Sequence, residues 1–170
     1  STGRALPGGV ETDPAGVVLW GCEDDFRDTV VPRLIAADAD RSRVVGREYV
    51  RRTDSWEEEP PELDDISALI ADIERVDAAL VIVDPLVAFL PQGTNTHNDH
   101  AVRHALGPVT RLAREAHVAV VLVRHLHKGA KANPTYGGGG SIGFTAAARA
   151  TLLVANDPDD RACRTQLCAE

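Results

Sequence analysis

The sequence predicts an α/β fold with three layers, a mostly parallel sheet between two layers of helices. Three observations predict it. The run Ala78-Ala79-Leu80-Val81-Ile82-Val83 is apolar and stops on Asp84-Pro85. A second run, Val118-Ala119-Val120-Val121-Leu122-Val123, has the same character. Short continuous apolar runs bounded by turn residues read as fully buried strands of a parallel sheet. Around them stand stretches with apolar residues at helical spacing, and strands that alternate with helices give a parallel sheet covered on both faces.

Taken in order, Gly16-Val17-Val18-Leu19-Trp20-Gly21-Cys22 is a short apolar strand that ends in Glu23-Asp24-Asp25. Phe26, Val30, Val31, Leu34 and Ile35 then recur at helical spacing, which predicts a helix over residues 26–37 with Asp25 as its cap. Arg43-Val44-Val45-Gly46-Arg47 is a weaker strand. Residues 53–61 are acidic and carry Pro60 and Pro61, a surface-loop composition. Leu63, Ile66, Leu69, Ile70 and Ile73 define an amphipathic helix leading into the Asp84 strand. Residues 91–98 form a polar loop, and Asn98 or Asp99 caps the next helix. Val102, Ala105, Leu106, Val109, Leu112 and Ala113 share one face of that helix, and Pro108 inside it predicts a kink or a break. After the second apolar run comes a glycine-rich loop over residues 128–141, a short helical stretch and the strand Ala150-Thr151-Leu152-Leu153-Val154. No internal repeat or domain boundary interrupts the pattern, so residues 1–170 read as one domain.

Composition bounds the function. A chain of 170 residues is long enough to bury a core. Its net charge of −8 excludes a surface that grips nucleic acid everywhere, yet leaves room for one local basic loop. No stretch of about 18 apolar residues exists, so no membrane span is expected. The N-terminal residues lack the apolar core of a signal peptide. The absence of any Met fits a fragment, a trimmed chain or a processed one. Cys22, Cys163 and Cys168 lack zinc-type pairing, which fits a reduced, cytoplasmic protein.

Three strand ends carry polar chemistry: Glu23-Asp24-Asp25, Asp84, and Arg124-His125-Leu126-His127-Lys128. In a parallel sheet these ends share one edge, where open α/β sheets bind ligands. Carboxylates there suit a hard divalent cation such as Mg²⁺, which takes one or two of them together with phosphate oxygens and waters. A Glu beside that metal can orient an attacking water. A His or Lys can meet charge that builds on a transferring phosphoryl group. An ordinary core strand with a solvated terminal Asp is the alternative for Asp84.

The order Trp20-Gly21-Cys22-Glu23-Asp24-Asp25, Val81-Ile82-Val83-Asp84-Pro85-Leu86, Leu122-Val123-Arg124-His125-Leu126-His127-Lys128-Gly129 and Tyr136-Gly137-Gly138-Gly139-Gly140-Ser141-Ile142-Gly143-Phe144 resembles the RepA-like branch of the RecA-type P-loop ATPases. Ala146-Ala147-Ala148-Arg149 is similar to the same group. The resemblance spans residues 3–159. It implies a RecA-like core that assembles into rings or filaments and hydrolyses ATP with Mg²⁺ between subunits, often with single-stranded DNA in replication or repair. It implies that Glu23 activates water and that Asp84 is the Walker B residue holding Mg²⁺. His125 takes the place of the residue that senses the γ-phosphate, with a satisfied loop histidine as the alternative. Residues 128–140 resemble the DNA-contacting loop, whose Lys128 and Lys131 would touch phosphates. Arg149 resembles an arginine that reaches the nucleotide of a neighbouring subunit, with a structural ion pair as the alternative.

The chain also departs from that pattern. The phosphate-cradling G-x-x-x-x-G-K-[ST] is not among the 170 residues. Thr2-Gly3-Arg4-Ala5-Leu6-Pro7-Gly8-Gly9 resembles the segment just after that motif in the family, so the expectation is a core truncated before its P-loop and again after Glu170. Gly137 stands where relatives usually carry Arg. The isolated chain is therefore expected to turn over little ATP. Two other readings stand beside this one. His97, Asp99, His100 and His104 have helix-compatible spacing for a metal-dependent hydrolase or nuclease. A non-catalytic interaction module that keeps the RecA-like fold is the other.

Overall fold

The computed structural model describes residues 1–4, 11–51, 58–125, 141–156 and 165–169. They fall into two compact units, Ser1–Gly93 with Ala105–Arg124, and Thr94–His104 with His125–Glu170. In chain order the first unit holds β1 (Gly16–Gly21), a π-helical turn (Phe26–Val30) running into α1 (Val31–Ala36), and β2 (Val44–Arg47). It continues with β3 (Val50–Arg51), β4 (Glu58–Glu59), α2 (Ile66–Val76) and β5 (Ala78–Asp84). The later turns of α3 (Asp99–Glu115) and β6 (Ala119–Leu122) complete it.

β2, β1, β5 and β6 form one parallel sheet in that order. Helix-bearing crossovers between successive strands are what make it parallel. The register pairs Val18 with Val45 and Val81, and Trp20 with Arg47 and Val83, so these six side chains share a face. α2 packs on that face against β1, β2 and β5, and buries Leu69 and Ile73 there. Gly46 points the other way. A Cβ at Gly46 would fall 1.8 Å from the Phe26 ring, so the π-helical turn lies against the opposite face and needs glycine beneath it. Helical segments on both faces of a parallel sheet are the layered α/β arrangement the apolar runs predict. No helix among the described residues is long and apolar enough to cross a membrane.

Several local expectations change. The helix over residues 26–37 is continuous, but opens with a wider π turn and buries no residue fully; Ile35 is 58% exposed. Asp25 caps it as expected, its carboxylate accepting the N–H groups of Arg27 and Asp28, each at 2.8 Å. The loop over residues 53–61 includes β4, which pairs antiparallel with β3, and Pro61 is fully buried. α3 runs unbroken through Pro108. Gly107 precedes that proline and has no Cβ to clash with the proline ring, while buried Val109 and Leu112 hold the next turn. β6 is not fully buried: Ala119 and Val121, two residues apart on one face, are exposed, and β6 is the last strand of the sheet among the described residues.

The second unit comprises the start of α3, α4 (Gly143–Ala147), β7 (Leu152–Asn156) and β8 (Thr165–Ala169). Asn98 caps α3, accepting the N–H groups of His100 at 2.9 Å and Ala101 at 3.1 Å. The strand expected over residues 150–154 pairs antiparallel with β8. The residues 157–164 between them are too few for the crossover that parallel pairing needs. Buried Ser141 ties the start of α4 to α3: its N–H donates to the Thr96 carbonyl at 2.7 Å, and its hydroxyl donates to Asp99 and accepts from the Gly143 N–H.

Candidate functional site

β1 and β5 are neighbours in the parallel sheet, and their register sets Gly21 beside Asp84. Both strands therefore stop at the same level, one leaving through Cys22 and Glu23, the other through Asp84 and Pro85. The carboxyl edge of a parallel sheet is where ligands settle in open α/β folds. Asp84 is half-buried and Glu23 is exposed. The half-buried Cys22 thiol stands close enough to feel both charges. Burial pushes its pKa up first, and the Glu23 and Asp84 carboxylates push it further by disfavouring a thiolate beside them.

The backbone around these groups is fixed. The Leu86 N–H donates to the Val123 carbonyl at 2.8 Å, and the Val123 N–H donates to the Val83 carbonyl at 2.9 Å. These bonds stitch the end of β5 to the end of β6 on either side of Asp84, whose peptide to Pro85 is cis. On the other arm, Asp25 caps the π-helical turn, Asp24 pairs with Arg33 at 2.5 Å, and the Phe26 N–H donates to Glu48 Oε1 at 2.7 Å. Asp24 and Asp25 thus hold the turn, and Glu23 is the acidic residue of the three nearest the strand end.

Beneath this edge lies a charged network that the sequence pattern did not disclose. Asp72 of α2 is 2% exposed. It accepts the Trp20 indole N–H at 3.0 Å and two bonds from Arg47, Nε and Nη2, each at 2.6 Å. That pairing raises the Arg47 pKa against the opposing effect of burial. Trp20 is fully buried, its ring centroid 6.1 Å from that of Phe89. The available signal was Trp20 itself: a buried indole N–H needs an acceptor, and Asp72 stands on the apolar side of its helix, between Leu69 and Ile73.

Of the predicted site residues, Glu23 and Asp84 lie in the first unit, at the ends of neighbouring strands. His125 and Arg149 are both exposed and belong to the second unit. Lys128, Lys131 and residues 136–140 lie outside the described residues. Burial pushes the Arg124 guanidinium below its ordinary pKa. His97, His100 and His104 are all exposed, and among the described residues no three His, Cys, Asp or Glu side chains gather to hold a metal ion. The donor set at Asp84 and Glu23 is of another kind. Carboxylate oxygens at a solvent-reached edge fit Mg²⁺, which keeps several waters and takes one or two carboxylates.

No curated protein matches this sequence. A family model described as an AAA domain matches residues 1–131, a span that contains Glu23, Asp84 and the whole parallel sheet. The first unit is a RecA-like α/β core, and the chain belongs to the AAA-domain family of P-loop-type ATPases.

Proposed function

We propose that these residues carry the metal-holding and water-activating part of a RepA-like ATPase site, which hydrolyses ATP at a subunit interface and is coupled to single-stranded DNA in replication or repair. The observation that carries this reading is the Gly21–Asp84 register, which sets the strand ends that bear Glu23 and Asp84 side by side. The AAA-domain match supports it over the span where both residues lie.

Mg²⁺-bound ATP supplies a phosphoryl group whose transfer depends on positioning and charge neutralisation. Asp84 would hold the cation through a carboxylate oxygen. Glu23, exposed at the neighbouring strand end, orients a water and accepts its proton. His125, as sensor of the terminal phosphate, and Arg149, reaching a neighbouring subunit in a ring or filament, rest on the resemblance. So do Lys128 and Lys131 as contacts to DNA phosphates. The phosphate-cradling G-x-x-x-x-G-K-[ST] is not among these residues, so residues 1–170 by themselves turn over little ATP.

The test is Mg²⁺-dependent ATP hydrolysis by the gene product that carries these residues, with and without Glu23→Gln. The substitution is expected to lower turnover by about 10²- to 10⁴-fold, the usual contribution of a positioned general base, while nucleotide still binds. Unchanged turnover in Glu23→Gln overturns the assignment. Brisk hydrolysis by residues 1–170 alone overturns the division of labour.

A further inference from the structure

One strand across from Glu23, at the carboxyl end of β2, the first unit holds a cavity of about 330 Å³. Its lining includes Arg47, Glu48, Tyr49, Asp72 and Arg75, and neither Glu23 nor Asp84. It is a site apart from the one above, on the same sheet edge.

The charges in the cavity are arranged unevenly. Two guanidiniums and two carboxylates line it, and the carboxylates are already engaged, Asp72 through both oxygens and Glu48 through one. The Asp72 side chain is 3% exposed and spends both oxygens on Arg47 and Trp20. Glu48 Oε1 accepts the backbone N–H of Phe26. The cations reach water to different degrees: Arg75, in the last turn of α2, is exposed, and the Arg47 side chain is 28% exposed. Arg47 is also pre-set. Its Nε and Nη2 are locked by a buried carboxylate, so a ligand meeting its remaining edge does not have to order the side chain. Tyr49 adds an exposed aromatic wall.

We propose that this cavity binds a phosphate group through Arg75 and the outer edge of the Arg47 guanidinium. Guanidinium donors match phosphate oxygens in number and geometry, and two of them around one concavity outmatch a single surface contact. The phosphate can be inorganic phosphate or the monoester of a nucleotide, in which case Tyr49 stacks on the base. Binding is also legible at a distance. Arg47 is tied through Asp72 to Trp20, and Trp20 stands three residues before Glu23 on the same strand. An anion that pulls on Arg47 therefore changes the surroundings of the Trp20 indole.

The experiment uses the full chain with Trp56→Phe, which leaves Trp20 as the only indole of the two. It is titrated with sodium phosphate, with adenosine monophosphate, and with sodium chloride at matched ionic strength. Calorimetry reads binding, and Trp20 emission reads the relay. Saturable heat with phosphate and none with chloride is expected, and Arg75→Gln should weaken it about tenfold, the loss of one charged hydrogen bond. Arg75 is exposed, so its removal should leave the thermal midpoint without ligand in place. Asp84→Asn should leave the phosphate response intact. Tighter binding of the monophosphate, lost in Tyr49→Ala, assigns the nucleotide as the source; equal affinities assign the free anion. Heats that match the chloride control, an unchanged affinity in Arg75→Gln, or a response that disappears in Asp84→Asn overturns the proposal.

Discussion

The first unit holds carboxylates at two depths around β1, one on α2 and two at strand ends, and they differ in what surrounds them. Asp72 lies under the sheet, 2% exposed, with Trp20 and Arg47 donating to its two oxygens. Asp84 and Glu23 lie at the carboxyl edge of β5 and β1, one half-buried and one exposed, where a cation can arrive with its waters. One residue type thus serves two ends. A buried carboxylate is tolerated only when its donors come with it, and that makes it a tie between elements. A carboxylate at a strand end keeps water within reach, which metal binding and proton transfer need.

The contrast is tested hardest at Asp72. Asp72→Ala leaves the Arg47 guanidinium and the Trp20 N–H without their acceptor beneath α2. Removing one partner of a buried pair costs several kcal/mol; with Arg47 partly open to water, about 3 kcal/mol is expected. The urea midpoint should fall accordingly, whereas Asp84→Asn and Glu23→Gln, isosteric changes at the strand ends, should each cost clearly less. If edge and interior carboxylates cost the same, the distinction between tie and site fails. A smaller change locates the centre of the tie. Trp20→Phe keeps the ring in the core beside Phe89 but removes one donor to Asp72, and Arg47 still satisfies that carboxylate. A loss of about 2 kcal/mol in the same unfolding experiment is expected, one hydrogen bond plus the space left by the smaller ring; a loss that is no smaller when Asp72 is already Ala would show that the indole contributes by packing and not through the carboxylate.

The edge was legible in the sequence and the interior was not, for physical reasons. An apolar run that stops on Asp84 announces both a strand and the edge where it ends, because parallel strands finish together. The caps at Asp25 and Asn98 are local chemistry, so three or four residues of sequence contain them. Asp72 required knowing that α2 crosses both Trp20 and Arg47, partners 52 and 25 residues away. The exposure of β6 depends on what covers its face and the antiparallel pairing of β7 on which strand lies alongside, and apolar composition is blind to both. Pro108 misled in the opposite direction, since its break is suppressed by Gly107 before it and by the buried turn after it.

The smallest expected effect probes the edge itself. In a chain with Cys163→Ser and Cys168→Ser, Cys22 is the only thiol of the three. Its pKa is raised by burial and then by Glu23 and Asp84. The thiolate is the form that alkylates, so at a fixed mildly alkaline pH iodoacetamide should react more slowly with Cys22 than with the unfolded chain. Neutralising either carboxylate lowers the thiol pKa, raises the thiolate fraction and speeds the reaction. The effect expected for a partly solvated charge is about two- to threefold, larger for Glu23→Gln than for Asp84→Asn. The whole rate–pH profile should move to lower pH in both variants, which a change in access alone would not produce. Mg²⁺ held at Asp84 should move it in the same direction in the parent and not in Asp84→Asn. Profiles that coincide in all three proteins would separate the carboxylates from the thiol, and with it the edge would lose the convergence on which the proposed site rests.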